Sequence, residues 1–208
     1  MRLVLQIAIG FAVLAILVTT TGALQLQQAS TDGRQGAVGP HHMRELYTFA
    51  SLGQMVAASD AVVLGTVTKS YAGRQVGDDD DTGGLSFTEI AVDVERVLHG
   101  TVALTITLEI DEVSMGKNDA WTVPGASVLL ALTQIADSPA MYRPTNTQSV
   151  FVMKGDMVTP GLSNDEFTNT VAVVGRAALL VDVEDAAASV SDGTVTAPPT
   201  NQGRSDPE

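Results

Sequence analysis

From Thr101 to Ile110 the chain alternates. Val102, Leu104, Ile106, Leu108 and Ile110 are apolar, and Thr101, Ala103, Thr105, Thr107 and Glu109 separate them. A period of two places one face of a strand in a core and the other toward water. The preceding stretch from Phe87 alternates as well, with Ile90, Val92 and Val94 in phase. The phase slips at Glu95-Arg96, because the next apolar residues are Val97 and Leu98. A one-residue slip exchanges the two faces, so the pattern predicts a bulge or bend there. His99-Gly100 is then the tight link of a hairpin. The buried set expected around this hairpin is Val92, Val94, Leu104, Ile106, Leu108, Val128, Leu130 and Leu132.

Other segments read as follows. Ser51 and Gln54 have the spacing of a capping box, and Leu52, Met55 and Val56 give the short helix behind it one apolar face. The apolar run from Ala61 predicts a strand buried on both sides at its start, and Gly65 marks a coil or a close neighbour. Ser127–Leu132 is continuously apolar, hence a central strand. Lys154-Gly155-Asp156 links two short apolar runs as a hairpin. The predicted strands are Asp60–Tyr71, Leu85–Leu98, Thr101–Ile110, Ser127–Ile135, and Val150–Val158 as one or two. Residues 164–174 fit either a loop or a helix. Ala177, Leu180, Val181, Glu184, Ala187 and Ala188 form a helical stripe between Arg176 and Val190. Trp121 is expected to pack as a lid over one end of a barrel, with ligand contact the less favoured role.

The fold class expected is mainly β. It is a small OB-like barrel of five to six strands with a short N-terminal helix, a C-terminal helix and a hydrophobic leader helix. Arg2 precedes an uncharged apolar run, and small residues follow at Thr21 and Ala23. Residues 1–23 therefore read as a secretory signal or an uncleaved membrane anchor, and both place the domain outside the cytoplasm. Residues 24–45 read as a flexible linker, 46–160 as the barrel domain, 161–190 as a partly helical extension and 191–208 as a disordered tail.

Composition narrows the chemistry. The formal net charge is −13, which repels nucleic-acid phosphate and anionic lipid. Cysteine is absent, so disulfides and thiolate chemistry are excluded. His41-His42 has no third ligand at useful spacing, and reads as an exposed pair in the linker.

Three stretches carry a resemblance. They are Ser59-Asp60-Ala61-Val62-Val63-Leu64-Gly65-Thr66-Val67, the run from Val92 to Gly100, and the run from Pro124 to Leu132. They resemble the strands of OB domains in the group of tissue-inhibitor-of-metalloproteinase-like and netrin-like proteins, over roughly residues 50 to 160. Such patterns recur in exported bacterial proteins. The resemblance implies a barrel. Inhibitors of that group act through an N-terminal cysteine that ligates a protease zinc, and this chain has none, so no inhibitory residue is carried over.

Catalytic patterns are sparse. Of three histidines, two lie in the linker and His99 in a turn, and no Gly-x-Ser-x-Gly elbow occurs. Neither a Walker motif nor a dinucleotide fingerprint is present. The sharpest match is a twelve-residue calcium loop that begins at Asp78, with Asp80 at position 3, Thr82 at 5, Gly83 at 6 and Glu89 at 12. Strands rather than helices are expected on both sides, and an extended Glu89 would point away from the aspartates. The reading is thus an exported, non-enzymatic domain that binds a protein or small ligand, with no cofactor. A calcium-binding surface module is the alternative, and a hydrolase the more distant one.

Overall fold

The structure, a computed structural model, describes residues 47–76, 85–111, 119–136 and 138–200. The predicted leader and linker and the last eight residues lie outside the described residues. The fold is mainly β. Helix α1 spans Leu52–Ala57, and the strands are β1 (Ala61–Val76), β2 (Leu85–Gly100), β3 (Thr105–Asp111), β4 (Ser127–Ile135), β5 (Ser138–Pro144), β6 (Val150–Lys154) and β7 (Met157–Pro160). Helices α2 (Glu166–Ala172) and α3 (Arg176–Ser191) follow. Among the described residues no helix is long and apolar enough to cross a membrane.

The strands pair in the order β1-β2-β3-β5-β4-β6-β7, and β1 also pairs with β4. Five strands thus form a ring, and β6 and β7 extend it from β4. The ring is uneven. Its β3–β5 side is parallel and rests on two residue pairs, Thr107 with Met141 and Leu108 with Tyr142. The β1–β2 side is a long antiparallel ribbon.

β1 and β4 are buried on both faces at the positions where their sequences are continuously apolar. Val63, Val128, Leu130 and Leu132 point into the ring beside Ile90, Val92, Ile106 and Leu108. Val62, Leu64, Leu129 and Ala131 point the other way, onto a second cluster with Met55, Val56, Leu179 and Val183 of the helices. α1 and α3 pack together over this outer face. β4 is therefore a wall shared by two cores.

Local signals explain the bends. Leu64 pairs with Arg96 and Gly65 with Val94, which leaves Glu95 as the extra residue. The bulge lies where the alternation slips. A Cβ on Gly65 would sit 2.6 Å from the Asp93 carbonyl oxygen, so the close neighbour is β2 itself. Gly100 has φ 74°, and a Cβ there would meet the Asp60 carbonyl oxygen at 2.1 Å. Ser51 caps α1 through the Gln54 N–H, and the Gln54 side chain accepts from the Ala50 N–H. The β6–β7 link turns at Gly155, as expected, and the Asp156 carbonyl accepts from the Arg176 N–H at the start of α3.

Several expectations are corrected. There are seven strands among the described residues rather than five or six, and two C-terminal helices rather than one. The ambiguous segment forms α2, capped by Asp165. β3 begins at Thr105, not Thr101, and Leu104 is 84% exposed. Residues 101–104 belong to no strand, so the alternation there does not translate into faces. Val94 is only half-buried, because it adjoins the bulge. Glu109 was expected to face water, yet it is buried at 3% exposure.

Candidate functional site

A concavity lies on the helical side of β4. It is a groove of about 600 Å³ between residues 48–52, α2 and the middle of α3. A buried polar network holds its walls. The Asn146 side chain caps the 3-10 turn Thr147–Ser149 by accepting from the Gln148 N–H, and its Nδ2 donates to the Tyr47 carbonyl. Gln148 Oε1 accepts from the Phe49 N–H at 2.7 Å, and Gln148 Nε2 donates to Asp165 Oδ2 at 2.6 Å. Ser163 donates to the same Asp165 oxygen, and the Thr168 N–H donates to the other. One glutamine and one aspartate thereby tie the chain entry, the 3-10 turn and the first turn of α2 together.

Asp165 is a structural anion. Partial burial by itself raises its pKa, but the bonds from the Thr168 N–H, Ser163, Gln148 and the Thr168 hydroxyl outweigh this and hold the carboxyl below its ordinary value. It stays charged at neutral pH and accepts rather than donates.

Apolar side chains line the groove over this network. Phe49 and Phe167 meet edge to face at 6.3 Å, beside Leu52, Val171 and Val174. Glu166 and Asp182 are exposed at the rim, and among the described residues no basic side chain lines the groove. Val174 is 40% exposed, and its chain neighbour Val173 is 82% exposed. Val181, next to Asp182, is 55% exposed. Apolar side chains so placed on and beside a concave surface mark a contact site more often than a bare surface.

A second polar cluster sits on the outward face of the ring. Glu109 receives Arg74 through two contacts, Nε to Oε2 at 2.6 Å and Nη2 to Oε1 at 3.0 Å, while Arg143 stands 3.8 Å away. Arg74 also lies 5.5 Å above the Phe87 ring. This forked clamp crosses from β1 to β3 and neutralises a carboxylate that β3 carries out of water.

The residues proposed from sequence do not meet here. Asp78, Asp80 and Thr82 lie outside the described residues. Glu89 is in β2, paired with Tyr71 and Glu109 across the sheet. Partial burial pushes the Tyr71 phenol above its ordinary pKa. The hydrogen bond and charge of Glu89 add to that rise, against an opposing bond with Thr107. Trp121 is fully buried in the ring interior with Leu108 and Leu130, and its indole N–H has no hydrogen-bond partner among the described residues. No group of three or more metal-binding side chains occurs among the described residues. His99 lies next to the end of β2 and lines a separate cleft of about 350 Å³ with Glu184 and Ser191. There Ser191 donates to the Ala187 carbonyl and Glu184 pairs with Arg96. Neither bonds to His99 among the described residues.

No family model, curated protein or solved structure matches this chain. The reading of the site therefore rests on its own chemistry. Sequence reasoning did not find the groove, because residues 48–52, 146–149, 165–174 and 182 are far apart along the chain. The local signals were the cap spacings Asn146-x-x-Ser149 and Asp165-x-x-Thr168.

Proposed function

We propose that this chain is an exported, non-enzymatic domain that binds a protein or small ligand in the groove between Phe49 and Phe167. The observation that carries this reading is the groove itself. Its volume of about 600 Å³ falls in the range of ligand sites, and its lining combines apolar side chains such as Phe49, Phe167 and Val174 with polar and acidic ones. The polar groups at its base support binding over catalysis. Asp165 and Gln148 spend their hydrogen-bonding capacity on the fold, and the lowered pKa of Asp165 makes it a poor proton acceptor near neutrality. In the His99 cleft, the serine and the glutamate are each engaged with another partner.

The ring is best read as a small OB-like barrel. The strand order β1-β2-β3-β5-β4 closing on β1, with β3 and β5 parallel, supports it. The position of Glu89 within β2, beside Tyr71, argues against its closing a calcium cage. The apolar leader in the sequence supports export.

Crosslinking on intact cells tests the reading. A photoreactive amino acid replaces Val174 in one variant and Thr105, exposed on β3, in another. A discrete adduct from position 174 and none from 105 is the expected result. Equal labelling from both positions, or none from 174, contradicts it. Protease treatment of the same cells reports export: full protection of the domain overturns that part.

A further inference from the structure

We propose that the occupant of the groove is a segment of another protein that carries basic side chains next to apolar ones. This rests on the groove being the binding site and adds the class of partner. The argument starts from the mismatch between floor and rim. The floor is Phe49, Phe167, Val171 and Val174, which an apolar side chain covers with gain. The rim is Glu166 and Asp182, both exposed, and among the described residues no basic side chain lines the groove. Neither Glu166 nor Asp182 forms an ion pair with a cation among the described residues. Val173 and Val181, chain neighbours of Val174 and Asp182, are exposed as well.

Charge complementarity selects among occupants. A second copy of this chain would bring its own patch against this one in a two-fold dimer. That arrangement sets Glu166 and Asp182 near their own counterparts, within a chain of net charge −13. An acidic partner is repelled by the same rim. A neutral apolar molecule covers the floor and leaves the carboxylates with water alone. Arginine or lysine flanking a leucine or similar side chain satisfies both. The aliphatic stems of such cations also lie well along apolar surface. Attraction to the rim speeds encounter and sets which partners are accepted, while the apolar contact sets how long they stay.

The probe is a fluorescein-labelled peptide of ten residues repeating arginine, leucine and serine, titrated with the full chain. Three relatives of it replace every leucine by serine, every arginine by glutamine, or every arginine by glutamate. The parent is expected to bind saturably at one per chain. The serine and glutamine relatives are weaker by on the order of tenfold, and the glutamate relative does not bind. Val174→Asp, at an exposed position that leaves the fold intact by circular dichroism, abolishes binding of the parent. Glu166→Gln and Asp182→Asn each weaken it about two- to fivefold and reduce its salt dependence. Thr105→Asp, on the far side of the ring, changes nothing. If the serine relative binds as tightly as the parent, or Val174→Asp has no effect, attraction is only to the net charge and the proposal falls. If the glutamine relative binds as tightly as the parent and Val174→Asp still abolishes it, the groove stands and the basic class is wrong. Loss of every Val174-dependent signal, together with no crosslink from position 174, removes the groove reading as well.

Discussion

Ile106 and Leu104 sit two residues apart and carry the same prediction by alternation, yet they are 2% and 84% exposed. Ile106 faces the ring interior opposite Val92, among Ile90, Leu108 and Val128. Leu104 precedes β3. Its carbonyl accepts from the Val94 N–H at 2.7 Å while its side chain stays in water. Truncating Ile106 to alanine removes buried methyl and methylene groups and leaves a cavity between strands that cannot close on it. The expected loss is about 2–5 kcal/mol. Leu104→Ala removes side-chain atoms that are already hydrated, and should fall within about 0.5 kcal/mol of the parent. Ile106→Val is the intermediate case, at about 0.5–1.5 kcal/mol. Urea unfolding of the three variants measures this, with the midpoint moving and the slope unchanged. The melting temperature of Ile106→Ala should drop roughly 5–15 °C. Equal losses at the two positions, or less than about 1 kcal/mol at Ile106, would refute the assignment of faces on β3.

Three further outcomes follow from the same geometry. Gly100→Ala forces a side chain into a positive φ and against the Asp60 carbonyl, and should cost about 2 kcal/mol or more in urea unfolding; a neutral result would mean the β2 end is free to shift. Arg74→Ala strips the forked partner from a buried carboxylate, so a double-mutant cycle with Glu109→Gln should show coupling of about 1–2 kcal/mol, limited by the half-exposed guanidinium; additive effects would reduce the clamp to a surface contact. Asp165 has a lowered folded pKa, so its contribution is complete above the ordinary carboxylate pKa of about 4 and is lost as pH falls through the folded value. The stability gap between the parent and Asp165→Asn should therefore be wide at pH 7 and shrink in acid below about pH 4. A gap that does not change with pH contradicts the network.

Much of the ring was legible because its signals are local. The continuous apolar run of Ser127–Leu132 reports a strand covered on both faces, and β4 is the wall between two cores. The slip at Glu95 reports a bulge because a strand has only two faces. The Ser51 cap and the Gly155 turn need only a few neighbouring residues. What escaped depends on distant partners. β5 has prolines at 139 and 144 and joins the sheet through short pairings with β4 and β3, so its strand character comes from its neighbours. Glu109 reads as a solvent position by alternation, and its burial is made tolerable by Arg74, 35 residues earlier in sequence and held opposite by the β1–β2 ribbon, with Arg143 behind it. The groove needs four separated segments at once, and no periodicity along the chain reports that.

The central claim is that the concave surface over Phe49 and Phe167 is where this domain meets its partner. Methyl-labelled spectra of the full chain, recorded while the arginine–leucine–serine peptide is added, address it directly. The methyl signals of Leu52, Val171 and Val174 should move together with one saturating curve, while those of Val92, Ile106 and Leu108 in the ring interior stay in place. Uniform small shifts over the whole chain, or movement confined to positions outside the groove, would contradict the account.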